Sequence, residues 1–136
     1  IFVAIVTAIQ VLCYNFLDVM GVGKARRKHK VAYPKCTGPP EFESAFRAQQ
    51  NQAEQMPTFF VSMWACAAMF DGRVAGGLGL LWVLLRQLYT SSYRNSGFSM
   101  GLLKFTIPAY LCINLLSLLA AGAGIYTLVQ NPSLLF

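Results

Sequence analysis

Arg47, Asn51 and Glu54 are spaced i, i+4, i+7, and Arg86, Tyr89 and Tyr93 are spaced i, i+3, i+7. On helices, each set forms one stripe. Two guanidinium groups can neutralise carboxylates, while Asn51, Gln49, Tyr89 and Tyr93 can orient a small polar anion by hydrogen bonds. The same side chains could instead form an interhelical salt-bridge and hydrogen-bond cluster that only fixes packing. In that reading Glu54 is the expected partner of Arg86, because no acid follows Arg86 on its own segment. Both readings stay open on pattern alone. A separate polar pair, Asn15 and Asp18, offers one acid with no matched base, so it reads as packing or snorkelling.

The elements that carry these residues are unusually apolar. The 136-residue chain is 56% hydrophobic and 12% charged, with mean hydropathy +0.50. Soluble domains carry about 25% charged residues, so there is too little charge here to cover a watery surface. An all-α integral membrane protein with a four-transmembrane-helix bundle follows. One domain, 1–136, would have spans at about 1–22, 47–70, 74–93 and 103–129.

Several signals punctuate those spans. GKARRKHK is expected to stop the first. Pro34, Gly38, Pro39 and Pro40 mark a loop, and the second helix should begin near Pro39 or Pro40. Pro57 should kink that helix, and FDGR should turn it into the third. Gly76, Gly77 and Gly79 would permit close helix approach.

The formal net charge is +6. Lys24, Arg26, Arg27, Lys28, Lys30, Lys35 and Arg47 hold most of the positive charge in one segment. That segment follows an apolar helix and lacks interleaved aromatics, which argues against a nucleic-acid partner. The positive-inside rule instead puts the first loop and the Arg94–Lys104 turn on the cytosolic side or its organellar equivalent. Cys13, Cys36, Cys66 and Cys112 lack zinc-site spacing, so they read as packing residues, with no disulfide and no metal expected. The first residue is Ile1, which suggests a processed segment.

VGKARRKHKVAYP, TGPPEFESAFRAQQNQAEQMP and LLRQLYTSSY resemble segments of the MAPEG family of membrane proteins in eicosanoid and glutathione metabolism. The likeness is close from about Val22 to Tyr93 and looser elsewhere. It implies four helices that trimerise, with glutathione as co-substrate bound between subunits on the side of the first loop. Arg26, Arg47, Gln49, Asn51, Glu54, Arg86, Tyr89 and Tyr93 match its glutathione-contacting positions, and Arg27 matches a loop arginine assigned a proton-donor role.

The departures are Gln55, where the family has a glutathione-contacting tyrosine, and Gln52, where it has a small residue. Active members also carry a thiol-activating arginine some seven residues beyond the position of Tyr93; this chain has Met100 at that count, or else a shortened loop from which the arginine is deleted, and Arg94 is the nearest substitute. Without a cation nearby, a thiol of pKa about 8.5 stays mostly protonated at neutral pH. The resemblance therefore implies a glutathione transferase or peroxidase acting on lipophilic electrophiles or lipid hydroperoxides, with weakened activity. Two alternatives stand beside it. One is a lipid-binding accessory protein. The other is a structural subunit of a larger photosynthetic or respiratory complex, present in single copy rather than as a homotrimer. The expected membrane is the endoplasmic reticulum or an organelle, thylakoid or mitochondrial.

Overall fold

The computed structural model describes residues 1–135. Four long helices form an up-and-down bundle: α1 Phe2–His29, α2 Pro40–Met69, α3 Gly72–Ser96 and α4 Leu103–Gln130. The connections at the α2–α3 and α3–α4 corners are short, which makes neighbours antiparallel. A 3-10 turn, Met100–Leu102, leads into α4.

The outside of the bundle is apolar. Ile5, Leu12, Phe16, Val61, Leu111 and Leu118 are all exposed. In water such a surface would be a large aggregation patch. In hydrocarbon it needs no cover, and backbone polarity is satisfied within each helix. By length and composition alone, Phe2–His29 and Met100–Gln130 are apolar enough to cross a membrane. The middle helices have 30 and 25 residues. At about 1.5 Å per residue both exceed a hydrocarbon core of about 30 Å. Their apolar runs are diluted by Gln52, Ser62, Arg86 and Thr90, which the bundle buries.

The helices overrun the expected spans at the basic end. GKARRKHK does not stop α1; the helix continues through it to His29. Cations suit that position because the last carbonyls of a helix carry partial negative charge. Lys30 then turns left-handed at φ 53°, and Val31 N–H donates to Arg26 O at 3.0 Å, the Schellman closure. The second helix opens at Pro40 as expected, with Glu41 and Glu43 in its first turn. It continues through Pro57 to Met69.

One core binds the helices, centred on Phe59, Met63, Trp82, Ile113 and Leu116. The Phe59 and Trp82 rings stack at 3.8 Å between centroids and 7° between planes. Such a pair adds about 0.5–1.5 kcal/mol beyond the area it buries. Gly76 and Gly79 of α3 explain the tight α1–α2–α3 contact. A Cβ on Gly76 would overlap the Phe2 ring, and one on Gly79 would overlap Met63, whereas Gly77 faces open space. Gly77 therefore plays no part in the close approach expected of it.

Asp71 caps α3, its carboxylate accepting from Arg73 N–H at 2.7 Å and Val74 N–H at 2.9 Å. The Val74 and Arg73 amides hold this carboxyl below the usual carboxylate range. A depressed folded pKa gives stability that is present above the unfolded value, about 3.9. That stability is lost as pH falls through the lower folded value. Thermal unfolding in detergent from neutral pH down to about pH 3 tests this. Asp71→Asn should show a smaller acid-induced fall in Tm than the wild type.

Candidate functional site

The polar run of α2, Arg47 to Gln55, divides by direction. One subset links α2 to every other helix. Gln49 Nε2 donates to the Tyr14 hydroxyl of α1. Asn51 Nδ2 donates to the Tyr89 hydroxyl of α3 at 3.2 Å, and Gln55 Nε2 donates to the Tyr110 hydroxyl of α4 at 2.8 Å. Deeper in the bilayer, Trp64 donates to Thr7 at 3.1 Å, and the Ser62 and Ser117 hydroxyls pair at 2.9 Å. Interhelical hydrogen bonds of this kind average about 0.6 kcal/mol each in membranes. Their value lies in fixing the rotation of α2.

Arg86 completes the inward set. It is buried, donating through Nε to Gln52 Oε1 at 2.9 Å and through Nη2 to the Asn51 carbonyl at 2.8 Å. The Tyr89 ring lies 4.6 Å from its guanidinium carbon. The expected Arg86–Glu54 partnership does not form. Glu54 is exposed while Arg86 is enclosed. Gln52 supplies the acceptor instead.

The other subset faces outward. Arg47 and Glu54 are exposed, with Asn51 half-buried between them. Arg47 reaches only Gln50 Oε1, at 3.4 Å. Among the described residues neither Arg47 nor Glu54 has an ion-pair partner. Arg47 also edges a hollow of about 250 Å³ formed with Cys36, Thr37, Glu43, Phe46 and Gln50. Tyr93 is half-buried at the end of α3, its ring 5.8 Å from Tyr89 and 6.4 Å from Phe98. The i, i+4, i+7 stripe on α2 thus meets the stripe on α3 only at Asn51, whose side chain bonds Tyr89 and whose carbonyl accepts from Arg86.

The loop arginines separate. Arg26 is buried, donating to the Lys35 carbonyl at 2.6 Å with its guanidinium 4.3 Å from the Tyr33 ring and 4.9 Å from the Phe42 ring. It clamps the first loop onto α2. Arg27 is exposed on the neighbouring face of α1.

Asp18 has a base after all. It is fully buried, and its Oδ1 receives Arg94 Nη2 at 2.8 Å, the one salt bridge among the described residues. The pairing spans 76 residues of sequence and joins α1 to α3. The base lies on another helix, so the pair replaces the packing or snorkelling role expected of Asp18. Asp18 and Tyr14 share the π-helical turn Tyr14–Val19. That wider turn carries both side chains through which this part of α1 grips its neighbours. Gly21, one turn on, leaves room for the guanidinium: a Cβ there would lie 3.1 Å from Arg94 Cζ. Among the described residues no group of three or more His, Cys, Asp and Glu side chains converges.

A bundle with an apolar exterior, charged groups folded inward at one end and a basic rim defines a polytopic helical membrane protein. The chain belongs to the MAPEG family, whose pattern matches residues 3–124. It is 39% identical over 107 residues to microsomal glutathione S-transferase 2 of Mus musculus, covering 74% of this chain and 73% of that one. With the Homo sapiens protein of the same name it shares 41% over 96 residues, 66% of this chain and 65% of the other. Leukotriene C4 synthase of Mus musculus is 35% identical over 127 residues, 93% of this chain and 81% of that protein.

Proposed function

We propose that this protein is a membrane glutathione transferase or peroxidase of low intrinsic rate, with glutathione as co-substrate. The observation that carries the reading is the outward stripe of α2, a cation at Arg47 and a carboxylate at Glu54 left unpaired in their own chain. Seven residues of helix separate them by about 10 Å. An extended tripeptide also spans about 10 Å. Glutathione carries two carboxylates and one ammonium, so Arg47 takes a carboxylate, Glu54 takes the ammonium and Asn51 orients the backbone between them. The relatives named as glutathione transferases support this reading.

Buried Arg86 and Tyr89 act behind the stripe by holding Asn51 in place. Gln49 does the same from the α1 side, and Arg26 does so by fixing the loop. The stripe lies on the outside of the protomer, so a neighbouring copy would close over it and bring its Tyr93 to the peptide. A homotrimer is the assembly this favours. The lipophilic electrophile or lipid hydroperoxide arrives through the bilayer, and exposed Arg27 near the end of α1 returns a proton. The basic end faces the cytosol or its organellar equivalent, in the endoplasmic reticulum or an organellar membrane.

The weak point of the machinery is thiol activation. Met100 is exposed in the 3-10 turn before α4, and Arg94 is already committed to Asp18. Neither offers the sulfur an unspent cation. Met100→Arg is therefore expected to raise conjugation of glutathione to a lipophilic aryl halide by roughly a hundredfold, the scale of one well-placed oxyanion donor. Rates measured on purified protein in nanodiscs check this. The same features favour a second reading, a non-catalytic MAPEG-fold subunit or lipid-binding accessory protein. No turnover in either the wild type or Met100→Arg would replace the transferase reading with that one.

A further inference from the structure

Two hollows on the bundle meet at Arg94. One, of about 310 Å³, opens at the basic end and is lined by Lys24, Lys28, His29, Glu41 and Arg94. The other, of about 460 Å³, runs deeper between α1 and α3 along Leu17, Leu84 and Leu88, with Gln87 and Thr90. Arg94 lines both, so the surface changes from charged to aliphatic at one residue. Leu17, Leu84 and Leu88 are 49%, 56% and 52% exposed, so this chain does not itself fill the groove. None of Arg47, Asn51, Glu54 or Tyr93 lines either hollow.

The dimensions and the charge describe the same kind of occupant. Arg94 lies ten residues beyond Leu84, about 15 Å along the helix axis. That is half of a hydrocarbon core of about 30 Å. Asp18 balances Arg94, which leaves Lys24 and Lys28 against Glu41, one positive charge in excess. An excess cation at the interface complements a headgroup with a net negative charge. Gly21 lines the first hollow, its missing side chain leaving space beside the Arg94 guanidinium.

We propose that the α1–α3 groove holds one anionic phospholipid of the surrounding bilayer. Its phosphate sits between Lys24 and Lys28, and one acyl chain lies along Leu17, Leu84 and Leu88. The site is separate from the glutathione stripe and does not depend on that reading.

Native mass spectrometry of the protein released from nanodiscs tests this, with phosphatidylglycerol and phosphatidylcholine supplied in equal amounts. Phosphatidylglycerol should remain bound at one molecule per protomer. The Lys24→Glu/Lys28→Glu double variant should lose that retention by roughly tenfold or more, since each surface cation contributes measurably to anionic-lipid binding. Leu88→Trp, which fills the groove, should lose it too, and all three changes lie at exposed positions compatible with folding. Equal retention of the two lipids would overturn the proposal. So would unchanged retention in both variants, or displacement of the lipid by inorganic phosphate at matched concentration. Crosslinking of Leu88→Cys to a second copy in place of lipid would also overturn it, by assigning the groove to an interface between subunits.

Discussion

Arg86→Leu is expected to destabilise the bundle by more than about 3 kcal/mol, because two charge-assisted hydrogen bonds of about 1.5–3 kcal/mol each disappear. The loss is larger than the bonds alone. Gln52 is fully buried, and its Nε2 already lacks a partner. Without Arg86 its Oε1 is also unpaired, leaving a whole amide stranded, which costs about 1–3 kcal/mol. The Asn51 carbonyl and the Tyr89 ring lose the same cation. For a domain of this size, about 3–4 °C of Tm follows each kcal/mol, so a fall above about 10 °C is expected. Arg86→Lys keeps the charge but not the fork and should fall between. Thermal unfolding followed by tryptophan fluorescence checks the order, with Trp82 one turn away. A Tm within about two degrees of wild type for Arg86→Leu would mean the bonds to Gln52 and Asn51 do not hold α3 to α2.

The Asp18–Arg94 pair should show a directional asymmetry. Asp18 has 0% side-chain exposure and Arg94 has 28%. Arg94→Leu strands a carboxylate with no route to water, which costs about 3–5 kcal/mol for a buried pair. Asp18→Leu strands an arginine that can turn toward the interface, so its cost is smaller, about 1–3 kcal/mol. The double leucine variant leaves no stranded charge and should recover most of the loss, because an apolar replacement of a buried pair is often neutral. Urea or thermal unfolding of the three variants measures the cycle. Equal losses in the two single variants, with no recovery in the double, would contradict a buried pair at this position.

These two clusters also show what could be read from the chain and what could not. The four helices were legible because long apolar runs mark the first and last, while Pro39–Pro40 and the FDGR turn bound the two between them. Helix ends at the basic side were not, since hydropathy drops at Lys24 while the helix itself continues to His29. The outward stripe of Arg47, Asn51 and Glu54 followed from spacing on one helix. The pairings did not, because they join residues far apart in sequence. Asp18 finds Arg94 across 76 positions, and Arg86 finds Gln52 across 34. A period within one segment says which face a residue occupies and nothing about the face it meets. Gln52 and Gln55 carried no signal except as departures, yet each fills a defined interhelical bond.

The central claim is that exposed Arg47 and Glu54 receive the charged ends of glutathione while the residues behind them only hold α2 in place. Isothermal titration of glutathione into the purified protein tests it, comparing the wild type with the charge swap Arg47→Glu/Glu54→Arg. The account predicts saturable binding by the wild type and roughly a hundredfold weaker binding by the swap, with Tm unchanged because both side chains are exposed. Equal affinity in a well-folded swap, or no binding by the wild type, would contradict it.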